Sequence, residues 1–335
     1  MARAKKRSAQ KPNKLKSLWK NVWVKFGVSF LATFLILGGL VGGIYAYIFG
    51  GLDVLGGLSD DEAGIEAQDY HSKDIVNIAL FGIDSDDGSM EGRSDSIVVV
   101  TLDHKKKEIR LSAIERDTYV PIEGHGKDKI NHAYAFGGPA LAVKTLNQNF
   151  GLDIKDYAVV NFNNMVKVID ALGGIRIDVP AEKINDANRR IRDDHTPAGQ
   201  TPDLIEESGE QLLTGTQVLA LSRVRVVGGT EGRASMHETV LSACFDRIKE
   251  KNVLEYPEIA RVLLSLVQTS LDSGEVTSMG VKVVVSGYQI RQAVFPLQQD
   301  WLSQNTINGV WYRTYDYETG NENIRNFIYN GELPE

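Results

Sequence analysis

Residues 75–134 decide how the rest of the chain is read: IVNIALFGIDSDDGSMEGRSDSIVVVTLDHKKKEIRLSAIERDTYVPIEGHGKDKINHAY, from Ile75 to Tyr134. Three apolar runs, at 75–81, 97–102 and 109–114, are rich in β-branched residues and bounded by turn formers, which predicts three strands. The middle run has no polar alternation, so it is expected to be covered on both faces. Asp103-His-Lys-Lys-Lys107 forms a charged, tight link between the second and third runs. Polar residues collect where the runs begin or end: Asp84 after the first, Arg93 and Asp95 before the second, Arg116 and Asp117 after the third. With the second strand antiparallel to both neighbours, all of these meet at one sheet end. Carboxylates and guanidinium groups converging there suit a metal ion and a phosphate. A set of salt-bridged loop residues fits the same spacing.

Toward the N-terminus the charge becomes lopsided. The 335-residue chain is −7 overall, yet residues 1–26 hold nine Lys/Arg and no acid, so the remainder is strongly acidic. Residues 27–48 carry no charge at all. As a helix they would span roughly 33 Å, the thickness of a bilayer core. This predicts a signal-anchor transmembrane helix at 27–49. With cations on its N-terminal side only, residues 1–26 are placed in the cytoplasm and the rest outside the cell. Trp19, Trp23, Tyr45 and Tyr47 sit near the ends, as interfacial residues do. A cleaved signal peptide is the alternative, although the run is long for one and no small-x-small site follows. A DNA-binding tail is the other, but no recognition module accompanies it, and nucleic acid is not an expected partner. The Gly-rich, acidic stretch 50–72 reads as a flexible tether. Cys244 is the sole cysteine, which excludes an intramolecular disulfide; within apolar 240–245 it reads as a core residue.

Beyond Tyr134, Pro139 suits the first turn of a helix running to residue 150. A strand at 157–162, a helix at 165–172 capped by Asn163 or Asn164, and a strand at 175–179 read as a crossover unit within a mixed sheet. Residues 181–208 are polar, without an apolar period, and read as a surface excursion near the site. A short helix at 216–222 precedes Arg223 and Arg225. Helices at 235–251 and 256–270, an apolar segment at 279–288, a strand at 291–296 and a strand–helix pair at 309–329 close the chain. The fold class expected for residues 73–335 is α/β: a three-layer α-β-α sandwich with a mixed central sheet, preceded by one transmembrane helix.

The motifs Gly82-Ile-Asp84, Gly92-Arg-Ser-Asp-Ser96, Glu115-Arg-Asp117-Thr-Tyr-Val-Pro121, Asp128-Lys-Ile-Asn131-x-Ala-Tyr134, Gly137-Gly138, Val168-Ile-Asp-Ala-Leu-Gly-Gly174, Leu212-x-Gly-x-x-Val-Leu-Ala220, Arg223-x-Arg225 and Gly232-Arg233 follow one another in the order of the LytR-CpsA-Psr family, which this chain resembles. The likeness runs from about residue 75 to 247, and 311–316 with the final helix is similar too. It implies a membrane-anchored transferase of the cell wall. Such an enzyme moves a glycopolymer, such as teichoic acid or capsule, from a polyprenyl pyrophosphate carrier to peptidoglycan, with pyrophosphatase as a side activity. It also implies an apolar tunnel for the lipid. Carried over by position, Asp84 and Asp95 become the carboxylates for Mg²⁺, with Mn²⁺ as the alternative, and Asp95, Arg116 and Asp84 the catalytic set. Arg93, Arg223, Arg225, Arg233 and His237 join Arg116 around the pyrophosphate. Arginine suits that role, because its fork donates two hydrogen bonds and stays ionised.

Departures from the family's pattern bear on charge. Asp86 stands where an arginine is usual, Glu115 where a proline is, Thr230 where an aspartate is (Glu231 lies beside it), and Met236-His237 where Arg-Gln is. Cations lost and anions gained near a phosphate site oppose anion binding. His237 can partly replace a missing donor. Two functions therefore stand: a Mg²⁺-dependent glycopolymer–peptidoglycan phosphotransferase, or a non-catalytic regulatory or scaffold protein that binds polyprenyl phosphates.

Overall fold

The computed structural model describes residues 56–65, 74–83, 89–195, 201–224, 231–251, 255, 265–271, 279, 282–283 and 286–334, without the side chains of 194–195, 231–235, 237–238, 245 and 249. The basic segment 1–26, the apolar run 27–49, Asp84, Asp86, Arg225 and Thr230 lie outside the described residues. Among the described residues no helix is long and apolar enough to cross a membrane.

Part of the expected tether is folded. Ser59 caps the short helix α1 (Asp60–Ala63) in a reciprocal box with Glu62. Ala63 is fully buried, and its carbonyl accepts from Asn147 Nδ2 at 2.8 Å. The domain therefore begins before residue 73.

The three predicted strands form as β1 (Ile75–Ile83), β2 (Ser94–Asp103) and β3 (Glu108–Ile114). β2 is antiparallel to both neighbours. Its apolar run is covered twice, as expected. Ile97 and Val99 join one core cluster, and Val98 and Leu102 join another on the opposite face. Next come a small hairpin, β4 (Tyr119–Ile122) and β5 (Gly126–Lys129), and helix α2 (His132–Phe150). α2 kinks at Gly137 and Gly138, and Pro139 opens its long second half. β6 (Asp156–Asn161) lies parallel to β1. Helix α3 (Phe162–Ala171) follows directly. Its cap is Asn161, whose side chain accepts from Asn164 N–H, rather than Asn163 or Asn164.

β7 (Ile175–Val179) departs from expectation. It leaves the main sheet and pairs antiparallel with β8 (Gly209–Leu213), from Ile175↔Leu213 to Val179↔Gly209. The physical reason lies in Ile-Arg-Ile-Asp-Val, which alternates buried and exposed. A parallel strand inside an α/β sheet would be apolar on both faces. The segment expected to be irregular contains helix α4 (Ala181–Arg190) and a π-helical turn, Ile191–His195. Ile184, Ala187 and Ile191, at helical spacing, pack into the same cluster as β7.

Helix α5 (Gly215–Ser222), helix α6 (Glu231–Glu250), the two-residue strand β9 (Gln268–Thr269) and β10 (Gln289–Phe295) follow. β9 ends a stretch expected to be helical, because Gln268 and Thr269 pair with β6 instead. A hairpin of β11 (Thr306–Ile307) and β12 (Val310–Trp311) precedes helix α7 (Tyr317–Arg325) and a terminal π-helical turn, Asn326–Asn330. The main sheet is mixed and six-stranded, ordered β10-β3-β2-β1-β6-β9. α2 and the C-terminal turn cover one face and α6 the other. Cys244 is buried on α6, and burial pushes its thiol up to about 12. It is a core residue.

Candidate active site

The end of β1, the end of β3 and the start of β2 share one end of the sheet, because both pairings are antiparallel. Here the β1–β2 register slips: Gly82 faces Ser96, but Ile83 faces Ser94. Asp95 is the extra residue of a bulge, a device that re-aims one side chain at a sheet edge. Its Oδ2 accepts from Arg116 Nη1 at 2.6 Å and its Oδ1 from Asn131 Nδ2 at 3.3 Å. Arg116 and Asn131 are brought together by backbone pairing that continues past the β4–β5 hairpin. Ile130 N–H donates to Thr118 O at 2.8 Å and Asn131 N–H to Arg116 O at 3.2 Å. The same pairing delivers Lys129 to Asp117, where Nζ donates to Oδ1 at 2.6 Å.

The cluster is not saturated. Arg116 Nε lies 3.5 Å from Asp117 Oδ2 but makes no hydrogen bond there. Asn131 Oδ1 and Ser94 Oγ are also buried without a hydrogen-bond partner. Buried polar groups left this way are costly unless something else satisfies them. A donor, a spare acceptor and a carboxylate with 19% of its side chain exposed are therefore grouped around one point.

Glu115 does not add an uncompensated anion to this point, contrary to the sequence expectation. Its carboxylate is buried and accepts from Arg313 Nε at 2.5 Å. The Arg313 guanidinium lies 3.5 Å from the Trp301 ring centroid and 5.1 Å from that of Trp311. Arg313 N–H also donates to Asp117 O at 2.8 Å, and Tyr119 N–H to Arg313 O at 2.9 Å. The pair thus holds the backbone on either side of Arg116. Met236 is buried in the core around β7 and adds no charge.

An apolar cavity of about 230 Å³ opens between the sheet and helices α3, α5 and α6. Leu80, Val98, Phe162, Val166, Leu219 and Leu241 are among its walls. Ser96, next to Asp95, and Ser222, next to Arg223, also line it. The Arg223 guanidinium sits 5.6 Å from the Phe162 ring centroid. Two close approaches shape the cavity. A Cβ on Gly82 would meet Ser96 Cβ at 2.8 Å, and one on Gly215 would meet Val166 O at 2.3 Å, so side chains there would displace the wall.

Of the residues singled out by sequence, the structure joins Asp95 and Arg116 directly and sets Arg223 against Phe162, a residue of the cavity wall. Arg93 is exposed and makes no ion pair among the described residues. Asp84 and Arg225 lie outside those residues, as do the side chains of Arg233 and His237 on α6. Sequence reasoning misses Lys129 and Asn131 as site residues. Their signal is the Asp128-Lys-Ile-Asn131 run, which by itself reads only as a lead into α2. Asp128 itself is held below the usual carboxylate range. Burial pushes it up, but hydrogen bonds from His132 and the Lys129 N–H, with their charges, outweigh that.

The LytR_cpsA_psr family pattern matches residues 57–326. The polyisoprenyl-teichoic acid–peptidoglycan teichoic acid transferase TagU of Oceanobacillus iheyensis is 31% identical over 253 residues, 72% of each chain. The regulatory protein MsrR of Staphylococcus aureus is 27% identical over 283 residues, 79% of this chain and 82% of its own. Among solved structures, the family protein YwtF (TagT) with bound octaprenyl pyrophosphate lipid has the same fold, with a TM-score of 0.60 at 22% identity over 81% of this chain and 98% of that one. The family pattern begins just ahead of α1, runs through the strand triplet and the Asp95–Arg116 cluster and ends at α7, and the chain belongs to the LytR_cpsA_psr family.

Proposed function

We propose that this protein is a membrane-anchored phosphotransferase that moves a teichoic acid or similar glycopolymer from a polyprenyl pyrophosphate carrier to peptidoglycan. One observation carries the reading: an apolar cavity whose wall residues Ser96 and Ser222 adjoin the charged residues Asp95 and Arg223. A lipid pyrophosphate is apolar at one end and concentrated in charge at the other. Each CH₂ buried in the cavity contributes about 0.8 kcal/mol. Arg116 and Arg223, with Arg93, Arg225, Arg233 and His237, hold the pyrophosphate by charge-assisted hydrogen bonds. The acceptor hydroxyl attacks the sugar-side phosphorus. A new P–O bond forms, the bridging P–O bond of the pyrophosphate breaks, polyprenyl phosphate leaves, and the hydroxyl proton passes to solvent. Arg116, whose Nε lacks a hydrogen-bond partner, meets charge developing on the leaving phosphate.

Asp95 and Asp84 hold Mg²⁺ in this reading, with Mn²⁺ as a substitute. The donor set suits it: the carboxylate of Asp95 and the spare buried oxygen of Asn131 are hard ligands. When bound, the ion supplies positive charge against the pyrophosphate oxygens. Residues 27–49 form the membrane anchor, with 1–26 cytoplasmic and the domain outside, where peptidoglycan lies.

A binding-only protein is the second reading. It draws on both Asp95 oxygens being already engaged, by Arg116 and Asn131. One experiment separates the two: full-length protein in detergent, an octaprenyl pyrophosphate-linked teichoic acid and peptidoglycan, with Mg²⁺ or with chelator. The transferase reading expects acceptor-dependent release of octaprenyl phosphate in Mg²⁺ only. Tight donor binding with no turnover selects the binding-only protein, and no binding sinks both.

A further inference from the structure

The β11–β12 hairpin and the residues after it carry an aromatic surface that the pyrophosphate chemistry does not use. Trp311 is 39% exposed and Val310 beside it 45%. Tyr312 packs on Tyr119, ring centroids 4.7 Å apart. Two cations complete the surface. Lys127 is exposed, and its ammonium lies 4.9 Å from the Tyr317 ring centroid and 6.0 Å from that of Tyr119. It makes no ion pair among the described residues. Lys129 lies 5.7 Å from the Tyr312 ring centroid while bonding Asp117, the neighbour of Arg116. The Trp301–Arg313–Trp311 stack, tied to Glu115, fixes the surface to the segment that bears Arg116.

We propose that Trp311, Tyr312 and Tyr119, with Lys127, form a docking platform for the acceptor: the amino-sugar glycan strand of peptidoglycan with its carboxylate-bearing peptide stems. The proposal rests on the transferase reading and adds where the acceptor binds. Pyranose rings present C–H faces that pack on exposed aromatic rings, while Tyr hydroxyls and the Trp N–H stay available for hydroxyl and acetamide groups. Trp311 and Val310 are exposed, and the part-buried rings of Tyr312 and Tyr119 lie alongside. Lys127, held by rings rather than by a carboxylate, matches the negative charge of the stems. Lys129 links the platform to the reacting centre, so a docked hydroxyl is delivered toward Asp95 and Arg116.

The test uses full-length protein in detergent and two probes: a soluble N-acetylglucosamine–N-acetylmuramic acid tetrasaccharide bearing peptide stems, and octaprenyl pyrophosphate. Trp311→Ala and Tyr312→Ala are expected to weaken tetrasaccharide binding about tenfold or more, with octaprenyl pyrophosphate binding retained. Trp311→Phe should restore most of it, which separates stacking from a folding defect. Lys127→Gln should weaken the stem-bearing tetrasaccharide but not one stripped of its stems. Unchanged tetrasaccharide affinity in both alanine variants overturns the platform, and so does a wild type that binds octaprenyl pyrophosphate but no tetrasaccharide. Alanine variants that instead lose a teichoic acid-linked donor relative to bare octaprenyl pyrophosphate assign the surface to the donor and also overturn it. A wild type that binds the tetrasaccharide but not the lipid pyrophosphate keeps the platform and sinks the transferase reading.

Discussion

The two ends of the sheet use the same residue types to opposite effect. At the end away from the site, Arg110 is fully buried and every arm is answered. Nη2 donates to Asp103 at 2.5 Å and Glu108 at 2.8 Å, Nε to Glu108 at 3.0 Å, and Nη1 to Ile328 O at 2.7 Å. Asp103 also accepts from the N–H groups of Lys105 and Lys106. Lys106 Nζ reaches Asn330 O, so the last turn of the chain is fastened there as well. At the other end Arg116 keeps 22% of its side chain exposed, and its Nε has no hydrogen-bond partner. A saturated network fixes structure, whereas an unsaturated one is a site awaiting charge. Arginine–aspartate pairing alone therefore says little about role, and the count of unanswered donors says more.

The sharpest way to break this contrast is Arg110→Ala, which leaves Asp103 buried without its cation. We expect a loss of about 3–5 kcal/mol of stability by urea denaturation, with lipid pyrophosphate binding per folded molecule unchanged. A loss below about 1 kcal/mol, the worth of an exposed pair, would erase the distinction. Arg116→Ala should do the reverse. Octaprenyl pyrophosphate affinity is expected to fall about 10–100-fold, the worth of a charge-assisted contact, while the denaturation midpoint stays near wild type. Asp95→Asn should retain that binding and lose Mg²⁺-dependent turnover, measured as octaprenyl phosphate release.

Gly82→Ala probes the open end by volume rather than charge. The added Cβ presses on Ser96, so about 1–3 kcal/mol of overpacking should appear in the melting curve, together with weaker binding of the lipid tail. Equal loss for octaprenyl pyrophosphate and for inorganic pyrophosphate would mean that the cavity wall is not what changed. The smallest effect is a pH dependence of the closed end. Burial pushes the Asp103 carboxyl up, but the Lys106 N–H and Arg110 outweigh it and hold it below the ordinary range. A depressed folded value gives stability that is present above the unfolded value of about 3.9 and lost as pH falls through the folded one. Acid denaturation of Asp103→Asn should accordingly show a flatter slope below about pH 4 than wild type, and an identical slope would remove Asp103 from the account.

The strand triplet is legible in the sequence because each run carries its own period and the links are short. From two antiparallel pairings the gathering of Asp95 and Arg116 at one sheet end follows. The bulge that re-aims Asp95 is not legible, since Gly-Arg-Ser-Asp-Ser does not mark which residue drops out of register. The β7–β8 ribbon is readable in the alternation of β7, but the strand–helix–strand spacing points the other way and hides it. α4 is obscured because polar residues surround its three apolar positions. Glu115 is misleading by sequence because its partner, Arg313, is remote along the chain, and nothing local predicts a contact of that range.

The Glu115–Arg313 pair also constrains the order in which its two members can be exchanged. A glutamate at 115 without the arginine would be a buried charge left alone, a state about 3–5 kcal/mol less stable. Arginine at 313 had a gentler route, since stacking on Trp301 and Trp311 could hold its guanidinium before any acid was present. The order of descent that physics favours is tryptophans, then arginine, then glutamate. A chain with arginine at 313 and no acid at 115 is thus the milder intermediate, and one with glutamate at 115 and an apolar residue at 313 is not. Arg313→Leu should therefore cost about 3–5 kcal/mol, whereas Glu115→Gln, which keeps the Glu115 N–H bond to Phe295 O and leaves the guanidinium on its two indoles, should cost less.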